Sequence, residues 1–158
     1  RILSKSIGIP LDASNAITEL EKYLAEKESN KKPKILLVDD SITIRQRIRS
    51  LLSEHYEVSE VGSGAAAIRA VTLDRPDLVL LDYEMPVCDG SHVLAMLRSE
   101  KEFADIPVIF LTSKDDPDSV KKVLSLRADG YLLKYLNPID IKKRIDEYFK
   151  KKQAARRD

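Results

Sequence analysis

Five residues able to work on a phosphoryl group stand at the ends of four short apolar runs in this chain. Asp82 closes the run Leu78-Val79-Leu80-Leu81, and Asp39 and Asp40 close Ile35-Leu36-Leu37-Val38. Thr112 closes Val108-Ile109-Phe110-Leu111, and Lys134 follows Tyr131-Leu132-Leu133. The C-terminal tips of buried strands are where open α/β sheets gather their chemistry. Three carboxylates brought into one cleft repel one another, and some stay protonated unless a cation joins them. Ligation by oxygen alone, completed by water, is the preference of Mg²⁺. The expected ligands are one or both carboxylates of Asp39 and Asp40, one oxygen of Asp82 and the backbone carbonyl of Glu84. Lys134 offers a compact positive charge and Thr112 a hydroxyl donor to the same phosphoryl oxygens. The chemistry so read is attack of the Asp82 carboxylate on a donated phosphoryl group, giving an aspartyl-phosphate that water later hydrolyses.

Taken singly, each residue has a plainer explanation. A strand-end Asp commonly forms a turn or caps a helix, a strand-end Thr caps the next helix, and a Lys after a strand is usually exposed. Their order along the chain carries the reading, because all five fall at strand ends of one repeating pattern.

That pattern is an alternation of strand-like and helix-like segments from Lys34 onward, as in a parallel sheet with crossover helices. Strands are expected at 34–39, 56–61, 77–82, 107–112 and 130–134. Three of them are near-continuous apolar runs, as befits strands buried on both faces. Helices are expected at about 41–53, 64–73, 90–99, 116–128 and 137–152, the last two opened by Asp116-Pro117 and Asn137-Pro138. The fold class is α/β, a flavodoxin-like doubly wound five-stranded parallel sheet of order 2-1-3-4-5 with an extra N-terminal helix. In that order the first and third strands are neighbours, which brings Asp39, Asp40 and Asp82 together.

The first 33 residues stand outside the alternation. Leu11-Asp12, then Ala13, Ala16, Ile17, Leu20 and Leu24, read as a capped amphipathic helix over about 12–28, followed by the linker Ser29-Asn30-Lys31-Lys32-Pro33. Residues 1–10, with Ile2, Leu3, Ile7 and Ile9, read as the end of an upstream domain. The expected division is an N-terminal extension over 1–33, a domain over 34–152 and a basic tail over 153–158.

With 43% hydrophobic and 34% charged residues in 158, the chain has the composition of a folded, highly charged protein. No apolar stretch approaches the roughly 20 residues that cross a bilayer. One cysteine, Cys88, rules out an internal disulfide and fits a reducing, cytoplasmic setting. The net charge of +1 conceals 13 Lys/Arg against 18 Asp/Glu over 33–141 and 8 against 3 over 142–158. The basic end is read as a solvated helix face, since no aromatic residues interleave a basic patch as nucleic-acid binding would require. Direct nucleic-acid or membrane partners are not expected.

The segments KILLVDDS (34–41), PDLVLLDYEMPVCDG (76–90), IPVIFLTS (106–113) and DGYLLK (129–134) together resemble the receiver domain of two-component response regulators, over roughly 34–150. The resemblance implies a signalling rather than an enzymatic role, with phosphotransfer from a histidine kinase or histidine phosphotransfer protein to Asp82. It further implies Asp39 and Asp40 as the acid pair, Thr112 and Lys134 as phosphoryl contacts and Tyr131 as the switch aromatic. Phosphate would draw the Thr112 hydroxyl inward and vacate space for the Tyr131 ring, biasing the surface of the last two helices and the last strand. That surface would meet an output domain, a separate protein or a second phosphorylated copy; which one stays open. The chain reads as a piece of a larger regulator or hybrid kinase.

The chain departs from the family at several positions. Tyr135 follows Lys134 where the family usually has proline in a cis bond, which implies a trans bond and an altered loop here. Arg127 replaces a common glycine and Cys88 a common methionine, the latter read as a packed loop residue. Glu84, two after Asp82, is placed to influence how long a phosphoryl group survives. His55, His92 and Arg45 are expected at the surface. Two alternatives are an aspartate-nucleophile phosphatase of the haloacid dehalogenase type, faintly suggested by Asp82-Tyr83-Glu84, and a degenerate receiver serving only as a scaffold.

Overall fold

The computed structural model describes residues 13–29 and 31–157. The chain falls into two compact units, Arg1–Lys32 and Pro33–Asp158. In the first, helix α1 spans Ala13–Ser29, and Ile17, Leu20, Tyr23 and Leu24 are exposed on it. The expected Asp12 cap, the apolar residues of 1–10 and Asn30 of the linker lie outside the described residues.

The second unit alternates strand and helix: β1 Lys34–Val38, α2 Ile42–Leu52, β2 Glu57–Val61, α3 Gly64–Leu73, β3 Leu78–Asp82, α4 Gly90–Ser99, β4 Val108–Thr112, α5 Pro117–Ser125, β5 Gly130–Leu133 and α6 Pro138–Arg157. All strand pairings are parallel, in the order β2-β1-β3-β4-β5. This is the flavodoxin-like order that the alternation implies.

The period-2 alternation of side chains divides each central strand between two cores. Leu36, Val38, Val79, Leu81, Val108 and Phe110 pack against Ala67 and Val71 of α3, Val93, Leu94 and Leu97 of α4 and Val123 of α5. On the other face Ile35, Leu37, Leu78, Leu80, Ile109 and Leu111 meet Ile48 and Leu52 of α2 and Ile141 and Ile145 of α6. Every residue of β3 and β4 is buried, while the edge strand β2 exposes Glu57 and Ser59. Burial on both faces explains the continuous apolar runs of the inner strands, and the half-polar sequence of β2 follows from its edge position.

Side-chain caps start the helices where the sequence changes register. Ser41, Ser63, Asp89 and Asp116 accept hydrogen bonds from the backbone N–H groups of Ile44, Ala66, His92 and Ser119. Each such cap contributes about 1 kcal/mol and fixes where a strand end gives way to a helix. Two boundaries differ from expectation. Helix α5 stops at Ser125 rather than near Ala128, because Leu126 is extended and Arg98 Nε donates to the Arg127 carbonyl at 3.0 Å. Arg127 therefore needs no special backbone conformation; among the described residues only Val87 has a positive φ outside glycine. Helix α6 runs on through Arg157 instead of ending near 152. Lys, Gln, Ala and Arg all favour helix and nothing there breaks one, so the basic residues of the expected tail ride on its last turns.

Candidate functional site

Sheet register brings the acids together. Val38 pairs with Leu81 across β1 and β3, so Asp39, one step past β1, lies beside Asp82, the last residue of β3. Both are fully buried, whereas Asp40 is exposed. Thr112 closes β4 next door and is also buried. Lys134 follows β5, and its backbone N–H donates to the Thr112 carbonyl at 2.9 Å, which ties the strand end to β4. From there its ammonium reaches across the sheet edge, with Nζ 2.8 Å from Asp82 Oδ1 and 3.1 Å from Asp39 Oδ2.

The loop after Asp82 closes over the same edge. Glu84 N–H donates to Asp82 Oδ1 at 3.0 Å, and Ser41 N–H donates to Asp39 Oδ1 at 2.9 Å. A Cβ on Gly90 would overlap the Asp82 carbonyl and crowd the Tyr83 backbone and the Phe110 ring. Glycine there lets the N-terminus of α4 seat directly against the end of β3. Between Tyr83 and Gly90 the chain turns at Val87, whose φ of 70° lies within a three-residue turn closed by the Cys88 N–H to the Pro86 carbonyl at 2.7 Å. A β-branched residue is strained at that φ. Cys88 is half-buried and packs against the core, in keeping with a packed loop residue.

Burial and the neighbouring Asp39 charge oppose ionisation of Asp82, while Lys134 and the Glu84 N–H favour it; the balance pushes its carboxyl up to about 7. For Lys134, burial disfavours the charge, but Asp82 and Asp39 outweigh it and raise the amine above its ordinary range. The pocket thus holds more negative charge than one ammonium neutralises.

The donor set fits a hard divalent cation. Carboxylate oxygens of Asp39, Asp40 and Asp82 lie within 4.8 Å of one another. Asp82 Oδ2 is buried without a hydrogen-bond partner, and Asp39 Oδ2 has the Lys134 ion pair without a well-directed hydrogen bond. Buried carboxylate oxygens left in that condition are costly unless something positive joins them. All ligands on offer are oxygen, as a Mg²⁺-type ion prefers.

The hydroxyl and the aromatic share one face of the sheet. Thr112 Oγ1 accepts from the Lys114 N–H at 3.1 Å, which leaves its own proton to donate. Tyr131 pairs with Phe110 across β4 and β5, and Phe110 and Thr112 alternate onto the same face. Tyr131 is half-buried against the core that contains Phe110. Across the mouth, Ser113 Oγ donates to Glu84 Oε1 at 3.2 Å, linking the loops after β3 and β4.

Among the described residues every peptide bond is trans, the Lys134–Tyr135 bond included. The loop turns instead through a Leu136 N–H to Leu133 carbonyl bond of 3.2 Å and leaves Tyr135 exposed, and Lys134 still meets both acids. His55 and His92 are exposed, as expected of surface residues. Arg45 is not: its side chain is 16% exposed, NH1 donates to the Asp39 carbonyl at 2.7 Å, and Nε faces Glu60 Oε1 at 3.4 Å. The signal for it was Gly62 just after β2. The β1–β2 register sets Gly62 beside Asp39 and leaves room for a long side chain from α2.

Residues 35–146 match the response regulator receiver domain family. The sensor histidine kinase TmoS of Ectopseudomonas mendocina is 30% identical over 147 residues, 93% of this chain and 15% of that protein. That match is longer than the stretch from Ile35 to the C-terminus, so it extends into the segment before β1. A probable transcriptional regulator, ycf27 of Cyanophora paradoxa, is 42% identical over 119 residues, 75% of this chain and 48% of that protein. The chain thus spans less than half the length of either relative. Among solved structures, the chemotaxis protein CheY4 of Vibrio cholerae superposes with a TM-score of 0.69 at 30% identity, covering 74% of this chain and 98% of CheY4. No described helix is long and apolar enough to cross a membrane. Fold, motifs and the acidic strand-end pocket agree with these matches, and the chain belongs to the response regulator receiver domain family.

Proposed function

We propose that Asp82 accepts a phosphoryl group from a phosphohistidine on a histidine kinase or histidine phosphotransfer protein, and that this switches a protein-binding surface. The observation that carries the reading is the asymmetry of the Asp82 carboxylate. Oδ1 is held by Lys134 and the Glu84 N–H, while Oδ2 is buried without a partner in the acidic pocket. The unpartnered Oδ2 leaves Asp82 room for a new ligand at the pocket. One Asp82 oxygen forms the new O–P bond while the donor N–P bond breaks and its electron pair leaves with the imidazole. Asp39, Asp40, Asp82 and the Glu84 carbonyl would hold Mg²⁺, which supplies neutralisation of charge on the transferring group. Lys134, freed from part of its pairing as Asp82 becomes an acyl phosphate, a mixed anhydride, turns its charge to the phosphoryl oxygens. The Thr112 hydroxyl donates to another, and Tyr131 follows it across the face both share.

The output is then a change in the surface of α5, β5 and α6, read by another domain, another protein or a second copy of this chain. The setting is cytoplasmic, and Asp82 turns over by loss of its own phosphoryl group to water rather than by catalysis on a separate substrate. Membership of the receiver family supports this reading over the haloacid dehalogenase-type alternative. A scaffold-only receiver is separated by experiment. With Mg²⁺ present, beryllofluoride should bind stoichiometrically and shift the NMR resonances of Thr112, Lys134 and Tyr131. Asp82→Asn should abolish the effect. Absence of any beryllofluoride response in the folded wild-type protein would leave the scaffold reading standing and remove this one.

A further inference from the structure

We infer that Arg45 is the positioning residue of the acid pair: its guanidinium, anchored on Glu60 and admitted by the missing Cβ of Gly62, fixes the Asp39–Asp40 peptide. The inference rests on the metal-binding role proposed for that pair and adds a residue to it. Asp39 has well-defined restraints. Its N–H donates to the Val61 carbonyl at 3.2 Å, its Oδ1 accepts from Ser41, and its carbonyl accepts from Arg45 NH1 at 2.7 Å. Asp40 differs, since among the described residues no hydrogen bond or ion pair orients its carboxylate, and it is exposed. Where that carboxylate stands is therefore set by the peptide plane leading into it, which is the plane whose carbonyl Arg45 holds.

The guanidinium is in turn fixed from the neighbouring strand. Arg45 Nε lies 3.4 Å from Glu60 Oε1, and Glu60 is steadied from its other oxygen by Arg49 NH1 at 3.3 Å. A Cβ built on Gly62 would come within 2.6 Å of Arg45 NH1 and 3.8 Å of the Asp39 carbonyl, so the glycine keeps open the channel the guanidinium occupies. Gly62 needs no positive φ, and the obstructing atom is the far end of a flexible side chain. Gly62→Ala should therefore displace the guanidinium without removing its charge or straining the backbone. Alanine in place of a glycine with ordinary dihedrals also tends to stabilise, through the unfolded chain.

This gives a test in which charge and position act in opposite directions. A guanidinium near an acidic pocket repels a divalent cation. If Arg45 acted only through its charge, Arg45→Met would strengthen Mg²⁺ binding and Gly62→Ala would leave it unchanged. If Arg45 positions the acids, both variants weaken Mg²⁺ binding, by roughly tenfold, the lower end of what supporting partners of metal ligands typically contribute. The Arg45→Met/Gly62→Ala double variant should then be no weaker than the worse single, because both remove one contact. Mg²⁺ dissociation constants are measured by calorimetry on the full chain, with thermal melts in chelator to show that Gly62→Ala is at least as stable as wild type. Wild-type binding with unchanged or tighter binding in Gly62→Ala would overturn the inference alone. Failure of the wild-type protein to bind Mg²⁺ would overturn both it and the proposed function.

Discussion

Asp82 should weaken the very fold that presents it. Its carboxyl, ordinarily near 3.8, is pushed up to about 7, chiefly by burial and secondarily by Asp39. A carboxyl whose folded pKa exceeds its unfolded value binds more protons when folded. Stability therefore rises as pH falls through about 7 and stops rising below the unfolded value. A difference of about three pKa units corresponds to a ceiling of about 4 kcal/mol at pH 8, at 1.36 kcal/mol each. Asp82→Asn removes the charge, keeps an oxygen for the Glu84 N–H and leaves Lys134 paired with Asp39. In chelator at pH 8 the variant should be about 2–4 kcal/mol more stable than wild type, the lower figure allowing for the lost Lys134 bond. At pH 5 the folded Asp82 is already protonated while the unfolded carboxyl is still largely ionised, so the gap should shrink by roughly 2–3 kcal/mol. The last of the titration effect goes only as pH falls below the unfolded value. Urea unfolding followed by circular dichroism at both pH values measures the two gaps. A variant less stable at pH 8, or a gap independent of pH, would refute the reasoning.

Three further expectations concern separate parts of the molecule. Lys134→Met leaves two buried carboxylates facing each other and should destabilise the metal-free fold by about 3–5 kcal/mol at pH 8, with Mg²⁺ restoring much of it in the same unfolding experiment. Val87→Gly removes a strained β-branched residue from an exposed turn, trading about 1–2 kcal/mol of relief against about 1 kcal/mol of added chain entropy. Its urea midpoint should be equal to or above wild type, and a loss above 1 kcal/mol would show that the turn is not strained. Tyr56 OH donates to Asp146 at 2.5 Å; burial opposes the Asp146 charge, but Lys142 and Tyr56 outweigh it and hold the acid below its ordinary range. Stability from that acid is present above its unfolded pKa and lost as pH falls through the folded one. Tyr56→Phe should therefore cost about 1–2 kcal/mol at pH 7 and less at pH 3, measured by the same melts.

The fold was legible because the inner strands are buried on both faces, and continuous apolar runs announce that directly. The cap-plus-proline starts at Asp116-Pro117 and Asn137-Pro138 located two helices for the same local reason. Where helices end depended on contacts remote in sequence, as with Arg98 drawing the Arg127 carbonyl away and ending α5 early. The acids, Thr112 and Lys134 could be found from position alone, since strand ends in a parallel sheet share one edge. Arg45 could not, because its partners are a backbone carbonyl and an edge-strand acid brought close only by the β1–β2 register. Likewise, that Asp40 is exposed while Asp39 is buried depends on one further step of chain past the sheet, which residue type does not encode.

Phosphorylation of the chain by a small-molecule donor would decide whether Asp82 is the acceptor. The protein is incubated with acetyl phosphate, its intact mass is recorded with and without Mg²⁺, and borohydride trapping with peptide sequencing locates the modified residue. One Mg²⁺-dependent phosphoryl group, located at residue 82 and absent from Asp82→Asn, is the expected result. Stable modification at another residue, or none in the folded wild-type protein with Mg²⁺ present, would contradict it.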